Sequence, residues 1–188
     1  RTKWNQGPLP FLNVQLPGYM DYNYLPVESN WATMRESQLK ALSVENTAMV
    51  VAIDLGEWND VHPDNKKTVG DRLALAAFKT AYGENNVYSG PIARDVTADG
   101  NKLIIRFTHT GTGLTTSDDE APAEFAIAGA DKKFVWAKVR IEGDKIIVWN
   151  DQVAQPLYVR YAWADNPVNP NLFNKEGLPA SPFQLSIR

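Results

Sequence analysis

The segment Thr47-Ala-Met-Val-Val-Ala-Ile-Asp54 constrains the fold more than any other part of this chain. Its apolar side chains do not alternate with polar ones, which fits a parallel strand whose two faces are both hidden by crossover helices. Helical patterns flank it. From 31 to 43, Trp31, Met34, Gln38 and Leu42 recur at three and four residues, with Arg35 and Leu39 beside them. Ser29 or Asn30 is placed to accept the free amides of that helix's first turn. From about 64 to 82, Val69, Leu73 and Ala77, with Leu75, Phe78 and Tyr82, form a second stripe, and Gly83 stops it. A shorter extended run at 8 to 18 ends in Pro17-Gly18. Phe11, Val14 and Leu16 do not alternate cleanly, so this strand too is expected to be covered on both faces. The order strand, helix, strand, helix is that of a doubly wound sheet, but two strands are too few to close a core. The remaining strands are expected from polypeptide outside this chain or from another chain.

After Gly90-Pro91 the pattern changes period. Lys102 to Phe107, Glu124 to Ile127, Lys133 to Ile141, Lys145 to Trp149 and Pro156 to Trp163 all read as strands. Asp99-Gly100 and Gly143-Asp144 are tight-turn signals, and the second predicts a hairpin between Val139–Ile141 and Ile146–Val148. Short strands without helices predict an antiparallel β-sandwich. The expected division is therefore an α/β part at 1–86 and a β-sandwich domain at 87–188. The turn-rich stretch from Asp165 to Asn174 is expected to be ordered by contacts rather than by a ladder.

Composition narrows the function. The 19 Lys and Arg residues are scattered in a chain of net charge -3, which argues against a nucleic-acid partner. No apolar run is long enough for a membrane span. With no cysteine, thiolate catalysis and Cys-ligated zinc are excluded. The two histidines lie far apart in sequence with no short ligand spacing, and Asp118-Asp-Glu120 lacks the alternating oxygen ligands of a calcium loop, so no metal or other cofactor is expected.

An imidazole base must be His62 or His109. His62 lies in Glu57-Trp-Asn-Asp-Val-His-Pro-Asp64, beyond the C-terminal end of the buried strand, the edge where open α/β sheets gather catalytic loops. A catalytic imidazole needs an orienting carboxylate on one ring nitrogen and a nucleophile at the other. Asp60, Glu57 and Asp54 are within reach for the first role. Ser29, Ser37, Ser43 and Ser89 all lack the strand-to-helix elbow of a nucleophile, and no Gly-x-Ser-x-Gly occurs.

Several blocks resemble one family. Trp31-Ala-x-Met-Arg-Glu-x-Gln38, Asn46 to Leu55, Asn59-Asp-Val-His-Pro-Asp-Asn-Lys-Lys-Thr-Val-Gly-Asp-Arg-Leu-Ala-Leu75, Phe107-Thr-His-Thr-Gly-Thr-Gly-Leu114, Val159 to Pro167 and Leu172 to Phe183 are similar to the sialate O-acetylesterase group of the SGNH, or GDSL-type, hydrolases. The resemblance implies an α/β chain carrying the C-terminal part of an SGNH sheet, and hydrolysis of acetyl esters on sialic acids or other acetylated sugars. It makes His62 the catalytic base. The family's acid stands three residues before the histidine, where this chain has Asn59, so Asp60, Glu57 or a backbone carbonyl would orient the ring. The nucleophile serine would come from a segment preceding Arg1 or from a companion chain, and without it the chain would be inert. Trp58 and Tyr19 are candidates to stack on the sugar, and Arg35 is a candidate substrate contact or support for the active-site loop. A periplasmic or secreted location is expected. The rival readings are a non-catalytic carbohydrate-binding or interaction module housed in the β part, and a structural subunit of a larger assembly.

Overall fold

A computed structural model describes residues 1–187. Its first part contains β1 (Phe11–Val14), α1 (Asn30–Lys40), β2 (Thr47–Val50) and α2 (Lys66–Thr80), in the expected order. β1 and β2 pair in parallel, Phe11 opposite Thr47 and Val14 opposite Val50. Ser29, not Asn30, caps α1, its hydroxyl accepting from the Ala32 amide at 2.9 Å. Asn65 does the same for α2 through the Thr68 amide at 3.0 Å. Ala76, with Leu73, seats α2 on Ala48, Val50 and Leu12.

Two expectations for this part change. The run from Thr47 is strand only to Val50, and Ile53–Leu55 is a single 3-10 turn. The bend follows from Arg72 of α2, whose guanidinium donates to both Asp54 oxygens at 2.7 and 2.6 Å and to the Val51 carbonyl at 2.9 Å. That grip draws the chain out of the sheet direction and back toward the helix. β1 is not covered on both faces either: Phe11 is 59% exposed.

The second part is antiparallel. It comprises β3 (Ile92–Asp99), β4 (Lys102–Thr108), β5 (Leu114–Thr116), β6 (Phe125–Ala128), β7 (Val135–Trp136), β8 (Lys138–Glu142), β9 (Lys145–Trp149), β10 (Tyr158–Tyr161), β11 (Leu172–Asn174) and β12 (Phe183–Ser186). One four-stranded sheet has the order β3-β4-β9-β8, a second has β12-β10-β6-β7, and β11 pairs with β5. The hairpin at Gly143-Asp144 forms as expected, with Glu142 opposite Lys145 and Gly143 at a φ of 64°, a left-handed value that favours glycine. The single strand expected from Lys133 to Ile141 is two. At Ala137, whose amide donates to the Phe125 carbonyl at 2.8 Å, the chain leaves the β6 sheet and enters the β9 sheet. The stretch expected to lack a ladder supplies β11, where Leu172 sits opposite Thr116. Its buried Leu172 and Phe173 are too few to show periodicity in the sequence.

Leu103, Ile105, Ile146 and Val148 from one sheet and Phe125, Ile127, Val159, Tyr161 and Phe183 from the other join one hydrophobic core. That core continues into Met49, Val51 and Ile53, so the segment leading toward His62 leaves from its floor. The rings of Phe125 and Tyr161 lie 4.7 Å apart, and the Tyr161 hydroxyl accepts from the Leu172 amide at 3.0 Å, giving the buried phenol its partner. No helix is long and apolar enough to cross a membrane among the described residues.

Candidate active site

Two loops make the rim beyond the parallel strands. One follows β1 through Gly18 and Tyr19, and the other follows β2 through Gly56 to His62. They touch backbone to backbone: a Cβ on Gly56 would run into the Gly18 carbonyl, so only glycine permits the crossing. The Met20 amide donates to the Trp58 carbonyl at 2.9 Å and ties the loops together.

His62 stands at the outer end of the second loop. Its Nδ1 lies 3.0 Å from Asp60 Oδ1, and the same oxygen accepts from the His62 backbone amide at 2.8 Å. Those two contacts, the amide first and the ring second, hold the Asp60 carboxyl below the usual carboxylate range. An ionised carboxylate accepts only, so Nδ1 is the donor, and in the neutral ring that leaves the lone pair on Nε2. Nε2 makes no hydrogen bond among the described residues, and the side chain is 79% exposed, open to a group from outside. Of the three carboxylates within reach in sequence, Asp60 meets the ring. Asp54 is committed to Arg72, and Glu57 takes part in a backbone bridge to Asp60.

The other candidate residues divide. Trp58 is exposed beside this pair, with its backbone fixed by Met20. Tyr19 is half-buried and leans on Trp31, ring centroids 5.7 Å apart. Arg35 does not present its guanidinium to solvent. It is fully buried, and its guanidinium donates to the carbonyls of Leu16 at 2.9 Å, Ala164 at 2.6 Å and Asp165 at 2.8 Å, and also to that of Pro17. Burial pulls its pKa down to about 9, with Asp165 opposing the shift. Arg35 therefore binds the loop after β1 to the segment after β10, a supporting role, and its donors are spent on backbone rather than on a substrate.

That segment holds residues that sequence reasoning left out of the site. Asp165 accepts from the Ser29 hydroxyl at 2.6 Å, and Asn166 donates to the Met20 carbonyl at 2.7 Å. A sequence signal existed in the Trp163-Ala-Asp-Asn-Pro167 block, but nothing local told that it reaches back more than a hundred residues. Three of the four serines weighed above are structural: Ser29 caps α1, Ser37 donates to the Thr33 carbonyl at 3.0 Å and Ser89 to the Gly90 carbonyl at 3.0 Å, while Ser43 lines a groove with His109. His109 is in a different setting, its Nδ1 3.0 Å from the Thr108 hydroxyl and its Nε2 3.4 Å from that of Tyr88. It lines a groove of about 420 Å³ with Leu39, Leu42 and Met49, and burial pushes its pKa down.

This arrangement can be compared with known proteins. The structure superposes on a carbohydrate acetylesterase from Xanthomonas citri with a TM-score of 0.92 and 43% sequence identity, over 100% of this chain. The chain is a relative of the carbohydrate and sialate acetylesterases. Sialate O-acetylesterase of Mus musculus is 28% identical over 95% of the chain, and that of Homo sapiens 27% identical over 73%. The chain spans 44% of the Xanthomonas protein's chain and 36% of the mouse protein's length, less than half of either. No family model matches it.

Proposed function

We propose that this chain is the histidine-bearing part of a serine-type carbohydrate O-acetylesterase of the SGNH type, with residues 87–188 as a β-sandwich accessory domain. The single observation that carries the reading is the exposed His62–Asp60 pair at the rim beyond β2, in a chain related to acetylesterases. The serine comes from polypeptide outside this chain, an upstream segment or a companion. His62 Nε2 takes the serine proton as the hydroxyl attacks the acetyl carbonyl, and the imidazolium returns that proton to the sugar oxygen as it leaves. Asp60 holds the ring in the required tautomer and balances the transient positive charge. The substrate is an acetylated sugar, sialic acid or another, with Trp58 and Tyr19 offering aromatic faces to its C–H side. A periplasmic or secreted location suits such a substrate.

The test uses the polypeptide at its full natural length. His62→Ala should lower acetate release from an O-acetylated sugar by about 10²- to 10⁴-fold, the usual contribution of a general base. The urea midpoint should not move, because the side chain is exposed. Undiminished acetate release in the variant would overturn the reading.

A further inference from the structure

The His62 ring hydrogen-bonds to Asp60 and to no other group among the described residues, so the position of Nε2 is set by the loop that carries both residues. That loop is held lightly. Within it the Asp60 amide donates to the Glu57 carbonyl at 3.4 Å. Among the described residues, one hydrogen bond reaches 56–62 from elsewhere in the chain, the Met20 amide on the Trp58 carbonyl at 2.9 Å.

Met20 is strained. Its φ of 77° is a left-handed value that a side chain disfavours, and such a conformation persists where its surroundings over-determine it. The two sides of the residue show what does so here. The amide serves Trp58, and the carbonyl accepts from the side-chain amide of Asn166 at 2.7 Å. Asn166 is buried, and its Oδ1 would lie 2.4 Å from a Cβ on Gly18, so its carboxamide is packed on the same crossing where Gly18 meets Gly56. The Asn166 carbonyl also accepts from the Asn23 amide at 3.4 Å, and that of Asp165 from the Tyr19 amide at 3.3 Å, which brackets Met20 on both sides. A tether is as stiff as its anchor. Beyond Asn166 the Val168 and Asn169 amides are each bound by Glu124 Oε1 at 3.2 Å, and before it the Ala164 carbonyl is bound by Arg35 at 2.6 Å.

We propose that Asn166 is a positioning residue for His62: the antiparallel part reaches across to the rim, fixes the strained Met20, and through Met20 fixes Trp58 and the Asp60–His62 pair that follows. The inference rests on the esterase reading for what His62 does. It gives the β part a task in the chemical step itself, performed without touching a reacting atom.

The test uses the polypeptide at its full natural length and an O-acetylated sugar. In Asn166→Ala, kcat for acetate release should fall by about 10- to 100-fold while KM stays within about twofold, because misplacing a reacting group by about 1 Å slows the chemical step and leaves ground-state binding alone. In a His62→Ala background the same substitution should change kcat by less than about twofold, since its effect passes through that ring. A full further loss in that background overturns the proposal, and so does an unchanged kcat in Asn166→Ala. Amide hydrogen exchange adds a measurement that needs no variant. The parent's Met20 amide should exchange about a hundredfold or more slowly than unpaired amides, and exchange at the unpaired rate overturns the proposal. In Asn166→Ala, Met20 should lose about tenfold or more of its protection while the amides of β9, a strand paired on both sides, keep theirs. Undiminished release in His62→Ala sinks the esterase reading alone, and a Met20 amide that loosens in Asn166→Ala upholds the tether in that case too.

Discussion

The two parts of this molecule manage their hydrophobic side chains in opposite ways. Of the thirteen large hydrophobics left exposed among the described residues, twelve lie before residue 88, and Val168 alone lies after it. The antiparallel part turns Leu103, Ile105, Phe125, Ile127, Ile146, Val148, Val159, Tyr161 and Phe183 into one core, whereas the α/β part closes only Ala48, Val50 and Ala76 under α2. Two sheets can each hide a face on the other, but a two-stranded parallel sheet with one helix seated on it cannot bury the rest of its apolar surface. The α/β part joins its partner through Met49, Val51 and Ile53, which enter the larger core, and through the Arg35 guanidinium on carbonyls from both parts.

This contrast can be broken at several points. Phe183→Ala should cost about 3–5 kcal/mol in urea unfolding, the price of a cavity among Phe107, Phe125 and Tyr161. A loss under about 1 kcal/mol would mean that the core is looser than the contrast requires. Arg35→Met keeps the volume but strands buried carbonyls, and should cost on the order of 3 kcal/mol. Lysine should not rescue it, because a point-like ammonium cannot reach carbonyls on both sides as the guanidinium fork does. An Arg35→Lys variant as stable as the parent would show that charge, not geometry, makes the joint.

A subtler test uses pH. Glu124 accepts from the Val168 and Asn169 amides through Oε1, while its Oε2 is buried without a partner, and burial raises this carboxyl above its ordinary 4.5. The folded chain therefore keeps a proton that the unfolded chain has already lost. Its contribution to stability is complete below the unfolded value and declines as pH rises through the folded one. Urea midpoints between about pH 4 and 7 should fall less steeply in Glu124→Gln than in the parent, and parallel curves would remove Glu124 from the account. The smallest effect is expected at Phe11. Phe11→Ser should change the stability of this chain by no more than about 0.5 kcal/mol, as for other exposed sites. It should cost more in the full-length polypeptide, and equal costs would deny that the ring is covered there.

Much of the layout was readable where a signal is local. A cap at Ser29 or Asn30, Gly143 as a hairpin turn and the parallel run from Thr47 depend on neighbours a few residues away, and periodicity or turn chemistry reports such neighbours directly. β3, β5, β11 and β12 were not expected: β5, β11 and β12 span three or four residues, too few to show a period, and β3 mixes Arg94, Asp95 and Thr97 with its apolar residues. At the site, sequence placed His62 on the right loop but could not choose among Asp54, Glu57 and Asp60. The choice turns on which way each carboxylate points, and Arg72 removes Asp54 from across the fold. Of the roles open to Arg35, support of the loop is the one its buried guanidinium takes, on carbonyls from Leu16 and Ala164 that a helix pattern cannot name.

The amino-acid sequence alone determined the order of elements, the change from helix-bearing to strand-bearing chain near Gly90, and the presence of one imidazole beyond a buried strand, because each is written in short-range pattern. Tertiary structure decided that Asp60 grips that imidazole and that Arg35 joins the two parts. Those outcomes depend on directions and distances between residues remote in sequence, and these exist only once the chain has packed.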